Sequence, residues 1–245
     1  MNLTIINQPR IFPYHTGHQI AKRVMDLALC LLALPLILPV LAICALAIYL
    51  DSSGPVFFIQ ERVGKGGRVF RIYKFRTMQY NVDDSSHRTY MKAYVRGQIG
   101  KSENINNYHR AFVKAFVAKQ IENRSRKETF KPFQTSQITR VGRLLRKTSL
   151  DELPQLINVL RGEMSLVGPR PNVPWEVEEY QPWHHERLEV LPGITGLAQV
   201  RGRSSINFDS IVNYDIQYIE NQSVITDIKI LWWTLTAVLH AKGSG

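Results

Sequence analysis

The chain has 245 residues, of which 31 are Lys or Arg and 20 are Asp or Glu, so its formal net charge is +11. This length allows one or two domains, and the positive charge indicates an anionic partner: a membrane surface, a nucleic acid or a phosphorylated substrate. The only cysteines, Cys30 and Cys44, both lie in one apolar segment, which excludes a disulfide framework and a cysteine-based metal site.

The N-terminal part of the chain divides into a polar arm and an apolar segment. Residues 1–21 contain prolines and no regular apolar period, so we expect a loose arm. Residues 22–50 follow, and from Leu27 to Leu50 they contain no charged side chain. Such a run is long enough to cross the hydrocarbon core of a bilayer as a helix.

The residues that flank the apolar segment indicate whether it crosses the bilayer or returns to the same side. Lys22 and Arg23 precede it and further basic residues follow it. Since Lys/Arg-rich flanks mark the cytoplasmic side, both ends are expected there, which a straight span cannot achieve. Pro35 and Pro39 lie in the middle, where proline breaks or kinks a helix. We therefore predict a re-entrant membrane helix; a kinked single span is the alternative, and a signal peptide fits less well.

The segments after the membrane helix predict a mixed domain. Residues 56–59 and 69–75 are rich in β-branched and aromatic side chains and predict strands, with a turn at 65–68. Residues 81–135 form a segment that is polar and basic. Within it, a helix at about 108–123 suits either an anionic membrane surface or packing on the domain.

Two further helices complete the predicted cytosolic domain, residues 51–242. One covers residues 152–161. The other carries an apolar stripe near the C-terminus, expected to contribute both to the core and to the membrane interface: Ile228, Leu231, Trp232, Leu235 and Leu239. The predicted fold class is α/β (mixed α+β), membrane-associated, with surface amphipathic helices.

The clearest chemical candidate is the pair Asp151 and Glu152, which follows a basic stretch. One interpretation is structural, because acids are favoured in a first helical turn and Ser149 with Glu152 fits a capping box. In the other, Asp151 is itself the N-cap, and Pro154 then stands where its missing N–H has no partner to lose. Nearby cations would keep Asp151 ionised, the form that attacks phosphorus or binds a divalent metal. The residues leave both interpretations open.

Two loops contain arginines suited to phosphate. Arg170 stands in the Gly- and Pro-rich turn 168–171, and Arg203 follows in the segment 201–203. The chain has no Walker loop and no dinucleotide-binding glycine fingerprint, so neither a P-loop kinase nor a dinucleotide enzyme is expected.

Several different motifs follow one another along the chain: Lys22-Arg23-Val24-Met25-Asp26, Gly54-Pro55-Val56-Phe57-Phe58, Gln60-Glu61-Arg62-Val63-Gly64, Ile72-Tyr73-Lys74-Phe75-Arg76-Thr77-Met78, Thr148-Ser149-Leu150-Asp151-Glu152-Leu153-Pro154-Gln155-Leu156, Met164-Ser165-Leu166-Val167-Gly168-Pro169-Arg170-Pro171, Pro192-Gly193-Ile194-Thr195-Gly196 and Tyr218-Ile219-Glu220-Asn221. Together they resemble the bacterial sugar transferases, also called monotopic phosphoglycosyl transferases. The resemblance implies that the cytosolic domain, residues 51–242, is catalytic and that residues 81–135 are a variable insertion, longer than the usual connection of the family. The chain resembles the minimal form, without the N-terminal multi-span region of larger members.

The resemblance implies a reaction at the cytoplasmic face of the bacterial inner membrane. A sugar-1-phosphate passes from a UDP-sugar to polyprenol (undecaprenyl) phosphate, the first step of capsule, exopolysaccharide or O-antigen assembly. The resemblance implies that Asp151 is the nucleophile, forming a phosphosugar–aspartate intermediate with release of UMP. Glu152 assists it, and Mg²⁺ is the implied cofactor, held by both acids.

The resemblance also implies roles for residues around this pair. Arg146, Arg170 and Arg203 match basic positions and are assigned to the substrate phosphates. Lys74 and Arg76 are expected to reach the lipid phosphate or to lie at the membrane surface.

The remaining assignments concern an acidic position and the membrane anchor. Asp215 resembles a family acidic position near the site. Lys22 and Arg23 correspond to the anchoring pair of the re-entrant helix, whose break maps to Pro39, with Pro35 as an extra candidate. Leu38 stands where many members have a serine.

Two other functional classes compete with the enzyme hypothesis. A non-catalytic, membrane-anchored scaffold would use the basic face to hold anionic lipid or a partner. Nucleic-acid binding is not expected, because the basic residues are not interleaved with a platform of stacking aromatic side chains. Inner-membrane lipid is an expected partner, and a homodimer is left open.

Overall fold

The computed structural model describes residues 16–80, 84–98, 137–201 and 206–239. A long N-terminal helix lies against a domain of short helices and two small sheets, so the predicted mixture of helix and sheet is confirmed. The helices are α1 (Thr16–Asp51), α2 (Ser85–Val95), α3 (Arg140–Thr148), α4 (Leu156–Arg161), α5 (Pro174–Val177), α6 (Leu197–Arg201), α7 (Phe208–Glu220) and α8 (Val224–Leu239). The strands are β1 (Phe57–Val63), β2 (Val69–Phe75), β3 (Ser165–Val167) and β4 (Gly193–Thr195), and 3₁₀ helices cover Lys65–Gly67, Leu150–Gln155 and Pro182–Leu188.

Strands β1 and β2 confirm the two predicted strands and pair as an antiparallel hairpin, and β1 continues four residues beyond its predicted end at Ile59. Gly66 and Gly67 make the turn with positive φ angles of 64° and 76°, which glycine adopts readily. Residues opposite each other in an antiparallel pair share a face, and side chains alternate along each strand. Since Phe58 pairs with Lys74 and the strands stay in register, Arg62 and Lys74 lie on the same face.

Strands β3 and β4 are parallel and are joined by unusually close backbone contact at glycine. A Cβ atom on Gly168 would lie 2.9 Å from the backbone nitrogen of Gly193, and one on Gly193 would clash with the backbone of Gly168. Gly196 is similarly confined by the carbonyl of Gly168. No side chain fits between these segments, so the loop after β3, which carries Arg170, is fixed against β4.

The segment around Asp151 differs from the predicted helix over residues 152–161. Ser149 has φ 57° and ends α3 while opening the 3₁₀ helix Leu150–Gln155. Its side chain makes no capping hydrogen bond, so the predicted capping box is absent, and the N-cap position belongs to Ser149 rather than to Asp151. The 3₁₀ winding carries the chain past Pro154, and α-helix begins only at Leu156, which removes the conflict with an interior proline.

Helix α1 begins six residues earlier than predicted, so residues 16–21 of the expected arm are helical; residues 1–15 lie outside the described residues. It is long and apolar enough to cross a membrane. Its most apolar stretch of 18 residues has a mean hydropathy of 2.8, and 11% of that stretch is buried within the protein. The helix continues through Pro35 and Pro39. Its re-entrant course stays a prediction.

The N-terminal half of α1 is held to the domain by charged side chains. Lys22 Nζ lies 2.6 Å from the buried Asp227 Oδ2, and Arg23 donates to the carbonyls of Val159 and Leu160 at the end of α4. Asp26 accepts a hydrogen bond of 2.7 Å from Ser165 Oγ at the start of β3.

The C-terminal half of α1 contacts the same domain. Cys44 and Ile48 pack in a core cluster with Phe75 of β2 and Leu145 of α3. Asp51 Oδ2 accepts a hydrogen bond of 3.0 Å from the backbone N–H of Val141. Both ends of α1 therefore rest on one domain, while its outward face exposes leucine and isoleucine side chains: Leu31, Leu32, Leu36, Leu38 and Ile43.

Helix α8 buries part of the predicted stripe together with residues beside it. Ile228, Trp232 and Leu235 are more than half exposed, whereas Ile230 and Asp227 are fully buried against the domain. Leu231 of the stripe packs against the core cluster that contains Ile230, so the helix contributes to the core through Leu231 and through neighbours of the stripe.

The buried pair between Lys22 and Asp227 yields a stability prediction. Asp227→Ala is expected to lower the free energy of unfolding by about 3–5 kcal/mol, because it leaves the largely buried ammonium of Lys22 unpaired. Asp84→Ala is the matched control: it breaks an exposed pair with Arg88 and is expected to cost about 0.3–0.5 kcal/mol. Chemical or thermal unfolding of the purified protein in detergent measures both, and equal small losses would contradict the assignment.

Candidate active site

Glu152 lies at the centre of a three-residue ion-pair cluster. Its Oε1 accepts from Lys74 Nζ at 2.8 Å and from both terminal nitrogens of Arg170 at 3.1 Å. Burial acts to raise the pKa of Glu152, but Arg170 and Lys74 outweigh it and hold the pKa at about 2. Glu152 is therefore a fixed anion that joins β2, the 3₁₀ helix and the loop after β3.

Asp151 has a different environment from its neighbour. Within the described part of the chain, its carboxylate accepts no hydrogen bond. Burial and the adjacent Glu152 raise its pKa above the usual value, against the opposing effect of Lys74, Arg146 and Arg170. The sequence predicts that nearby cations keep Asp151 ionised. The cations do lower the pKa of Asp151, but burial and Glu152 raise it by more. Glu152 thus has one oxygen, Oε1, that accepts from two cations, whereas Asp151 has oxygens available for a ligand or a substrate.

Adjacent elements hold the acidic pair against the hairpin. Asn158 is fully buried, accepts from the backbone N–H of Tyr73 at 3.2 Å, and donates to the carbonyl of Arg71 and to Glu163 Oε2, both at 2.7 Å. These bonds fasten α4, and with it the 3₁₀ helix, to β2.

The basic residues predicted for the phosphates are distributed unevenly. Lys74 and Arg170 meet at Glu152, and Arg146 lies close enough to act on the charge of Asp151 while its Nε donates to Thr77 Oγ1 at 2.8 Å. Arg203 lies outside the described residues.

Arg76 and the anchoring pair have protein partners. Arg76 is buried and donates to the carbonyls of Ser52 and Ser53 at the end of α1, so it joins β2 to α1 rather than to the acidic pair. Lys22 and Arg23 likewise bind the domain, as described above. A role for these three residues toward lipid or phosphate stays a prediction.

Asp215 acts on the site through Arg187 rather than by contact with the acidic pair. It forms a fully buried ion pair of 2.6 Å with Arg187, and burial raises its pKa to about 6 against the opposing effect of Arg187. Arg187 also donates to the carbonyl of Arg170 at 3.0 Å and to Asn172 Oδ1 at 2.6 Å. The pair thereby fixes the loop from which the Arg170 side chain reaches Glu152.

Sequence reasoning did not single out three residues of this region: Arg62, Gln155 and Arg187. Arg62 donates to the carbonyl of Pro171 at 3.1 Å and to Gln60 Oε1 at 2.8 Å. The signal that could have identified Arg62 is the hairpin register, because a strand extended to Val63 places it on the face of Lys74. The roles of Gln155 and Arg187 depend on tertiary contacts that no local pattern reveals.

The acidic pair can be tested for its fit to Mg²⁺. The part of the chain that the structure describes holds no group of three His, Cys, Asp or Glu side chains placed for a metal. Mg²⁺ is usually bound by one or two carboxylates together with substrate phosphates and water. Two adjacent carboxylates, one of them without a hydrogen bond to the described residues, fit that donor set.

The arrangement as a whole is suited to phosphate chemistry. Lys74, Arg146 and Arg170 surround two acids, of which Glu152 is already paired. Cations of this kind stabilise the charge on phosphoryl oxygens, and the protein otherwise contributes mainly position to such a transfer. An available carboxylate in this setting can attack phosphorus or hold a divalent cation.

Comparisons with known proteins agree with this chemistry. The model of the family described as bacterial sugar transferase matches residues 17–241. The chain is 39% identical to the galactosyl transferase CpsE of Streptococcus agalactiae, covering 94% of this chain and 45% of that protein. It is 34% identical to the exopolysaccharide production protein ExoY of Rhizobium meliloti, covering 97% and 96%. It is 35% identical to the undecaprenyl-phosphate galactose phosphotransferase of Salmonella typhimurium, covering 91% and 41%. The chain thus spans less than half the length of two of these relatives and nearly all of the third.

The depressed pKa of Glu152 yields a prediction of pH dependence. A folded-state pKa of about 2, below the usual 4.5, means that ionised Glu152 stabilises the fold above about pH 4.5 and loses this effect as the pH falls toward 2. Glu152→Gln is expected to lower stability by up to a few kcal/mol at neutral pH, and this deficit shrinks in acid. Unfolding midpoints at pH 7, 4 and 3 test it.

The exposed Glu178 supplies the control for that measurement. Glu178→Gln is expected to leave the midpoint close to that of the unmodified protein at each pH. A Glu152→Gln deficit that stayed constant from neutral pH to about pH 3 would argue against the ion-paired assignment.

Proposed function

Because the chain belongs to the bacterial sugar transferase family, we propose that it transfers a sugar-1-phosphate from a UDP-sugar to undecaprenyl phosphate and releases UMP. The observation that carries the proposal is the contrast between Glu152, held by Lys74 and Arg170, and the adjacent Asp151 with its available carboxylate. The name of the Salmonella relative supports undecaprenyl phosphate as the acceptor, and that of the UDP-galactose-lipid carrier transferase of Erwinia amylovora supports a UDP-sugar as the donor.

The proposed reaction has two steps at one phosphorus atom. A carboxylate oxygen of Asp151 attacks the phosphorus that carries the sugar, and the bond from that phosphorus to the bridging oxygen breaks, so UMP leaves with the electron pair. A phosphate oxygen of undecaprenyl phosphate then attacks the same phosphorus, the bond to Asp151 breaks, and the carboxylate is regenerated. Each step transfers a phosphoryl centre without net redox change.

The surrounding side chains serve charge and position. Arg146, Lys74 and Arg170 neutralise phosphate oxygens, while Glu152 holds the two latter cations in place. Asp151 and Glu152 would hold Mg²⁺, which supplies further charge neutralisation when bound. The raised pKa of Asp151 makes its carboxylate a stronger base, and so a better nucleophile, than a fully solvated one.

The packing of α1 supports a re-entrant course on the cytoplasmic face. The helix has 36 residues, about 54 Å if straight, well beyond the hydrocarbon core of about 30 Å. A domain that contacts Lys22 near one end and Asp51 at the other cannot lie on both sides of a bilayer. The exposed leucines of the outward face then enter the lipid, and the acceptor phosphate, fixed at the membrane surface, comes within reach of Asp151.

The nucleophile is tested by Asp151→Asn. In detergent with Mg²⁺, undecaprenyl phosphate and a panel of UDP-sugars, the unmodified protein is expected to release UMP with at least one donor. The variant is expected to lose about 10³-fold or more of that activity, because an amide cannot form the intermediate. Asp84→Asn, at an exposed position, is expected to retain full activity.

The intermediate itself is measurable by intact-protein mass spectrometry. Donor without acceptor is expected to add the mass of one sugar phosphate to the unmodified protein and nothing to Asp151→Asn. Equal UMP release by both proteins, or sequential kinetics without an adduct, would remove Asp151 as nucleophile. No release with any UDP-sugar would leave a different donor or the scaffold hypothesis.

The course of α1 is tested with single cysteines at both ends, Gly17→Cys and Ser53→Cys. A Cβ atom on Gly17 meets no other atom within 4 Å, and Ser53 is exposed. A membrane-impermeant maleimide is expected to label both in inverted vesicles and neither in intact cells. The native Cys30 and Cys44, which are buried, give the background. Labelling of the two positions from opposite sides would indicate a spanning helix.

A further inference from the structure

Strand β1 begins with an apolar run that the domain leaves largely uncovered. Phe57, Phe58 and Ile59 are 46%, 46% and 52% exposed. Three consecutive exposed apolar residues are unusual on the surface of a soluble domain, except where that surface has a function. Because an exposed apolar edge strand also favours aggregation, this run calls for an apolar partner.

The run lies next to the C-terminal end of α1. Val56, the residue before β1, packs in the core cluster that contains Cys44 and Ile48 of α1. At the end of the same helix, Tyr49 and Leu50 are 70% and 74% exposed. The exposed apolar surface of α1 therefore continues onto the first residues of β1.

The pairing of the hairpin separates the three side chains of the run. Phe58 lies opposite Lys74, whose ammonium binds Glu152. Directly opposed residues share a face of the sheet, with Cβ atoms about 4.5–5.5 Å apart. Phe57 and Ile59 point to the other face, because side chains alternate along a strand. Phe58 is therefore the member of the run that stands beside the candidate active site.

The surroundings of Phe58 favour a ligand with a hydrocarbon chain and an anionic head. Val56 and Phe58 lie two residues apart on the same face, about 7 Å along the strand. At one end of this short path is the apolar surface of α1, and at the other is the cation Lys74. A molecule whose chain follows α1 and whose anionic head reaches Lys74 passes Phe58 on the way.

We propose that Phe58 contacts the isoprenoid chain of the acceptor, at the units closest to its phosphate. The inference rests on the proposed function, which supplies a polyprenyl phosphate as acceptor and places its phosphate beside Asp151. Contact with the chain removes the exposed side of the Phe58 ring from water, which stabilises the bound acceptor. The donor has no hydrocarbon chain, so this contact contributes to binding of the acceptor alone.

Three variants test the contact. Phe58→Thr removes most of the apolar surface and keeps a residue type that favours strands. Phe58→Leu keeps an apolar side chain at the same position. Ile59→Thr is the matched control, because Ile59 is similarly exposed but lies on the opposite face of the hairpin. The unfolding midpoint without ligand shows that each variant is folded.

The measurement is the dissociation constant of undecaprenyl phosphate and of UMP, taken from the ligand-dependent rise of the unfolding midpoint in detergent. Phe58→Thr is expected to bind undecaprenyl phosphate about three- to tenfold more weakly, as expected from the apolar area that the exposed half of a phenylalanine buries. Its affinity for UMP, which has a phosphate but no chain, is expected to stay unchanged. Phe58→Leu and Ile59→Thr are expected to bind both ligands nearly as well as the unmodified protein.

Three results overturn the proposal. The first is an unchanged affinity of Phe58→Thr for undecaprenyl phosphate. The second is equal weakening in Phe58→Thr and Ile59→Thr, which indicates that the whole run meets bulk lipid, detergent or a second copy of the chain. The third is equally weakened binding of UMP by Phe58→Thr, which indicates that the substitution acts by disturbing Lys74.

These outcomes are separate from those of the proposed function. Binding is measured without turnover, so a protein that releases no UMP from any UDP-sugar still reports on the contact between Phe58 and the lipid. Conversely, an active enzyme whose Phe58→Thr variant binds undecaprenyl phosphate normally retains the proposed function and refutes the contact.

Discussion

A single carboxylate oxygen, Oε1 of Glu152, accepts hydrogen bonds from both Lys74 and Arg170, and the site depends on this shared contact. The three residues come from a strand, a 3₁₀ helix and a loop that are far apart in sequence. The side chains of Lys74 and Glu152 are largely buried, and an ion pair in that setting is stable only with good geometry and several hydrogen bonds. The structure supplies both, since Asn158 fixes the strand to α4 and Arg187 fixes the loop through the carbonyl of Arg170.

This organisation explains how two neighbouring acids acquire different properties. Each cation that binds Glu152 is withdrawn from direct contact with Asp151, while its charge still acts across the short distance between them. Glu152 consequently belongs to the framework of the site. Asp151 is left as the carboxylate with room for new partners, although the two residues look equivalent in the sequence.

The sequence predicts those parts of the structure that local chemistry determines. The strand-forming segments, the glycine turn between them and the prominence of the acidic pair are all visible in short windows. The winding at Asp151 is not, because Ser149 in a left-handed conformation and a 3₁₀ helix through Pro154 are set by packing against β2. Likewise, hydropathy identifies α1, but it cannot reveal that Lys22 pairs with Asp227, 205 residues further along the chain. Lys22 and Arg23 therefore look like membrane anchors in sequence, and the folded protein shows that they also fasten α1 to the domain.

The contact between Gly168 and Gly193 limits how this protein can diverge. Because their backbones touch, neither position can acquire a side chain without separating β3 from β4, and the arginine that follows is displaced with them. Relatives of this chain carry names that specify galactose, N-acetylgalactosamine or glucose. Under the proposed function, a change of donor sugar in this protein has little freedom at this loop and falls on segments whose backbones have space around them.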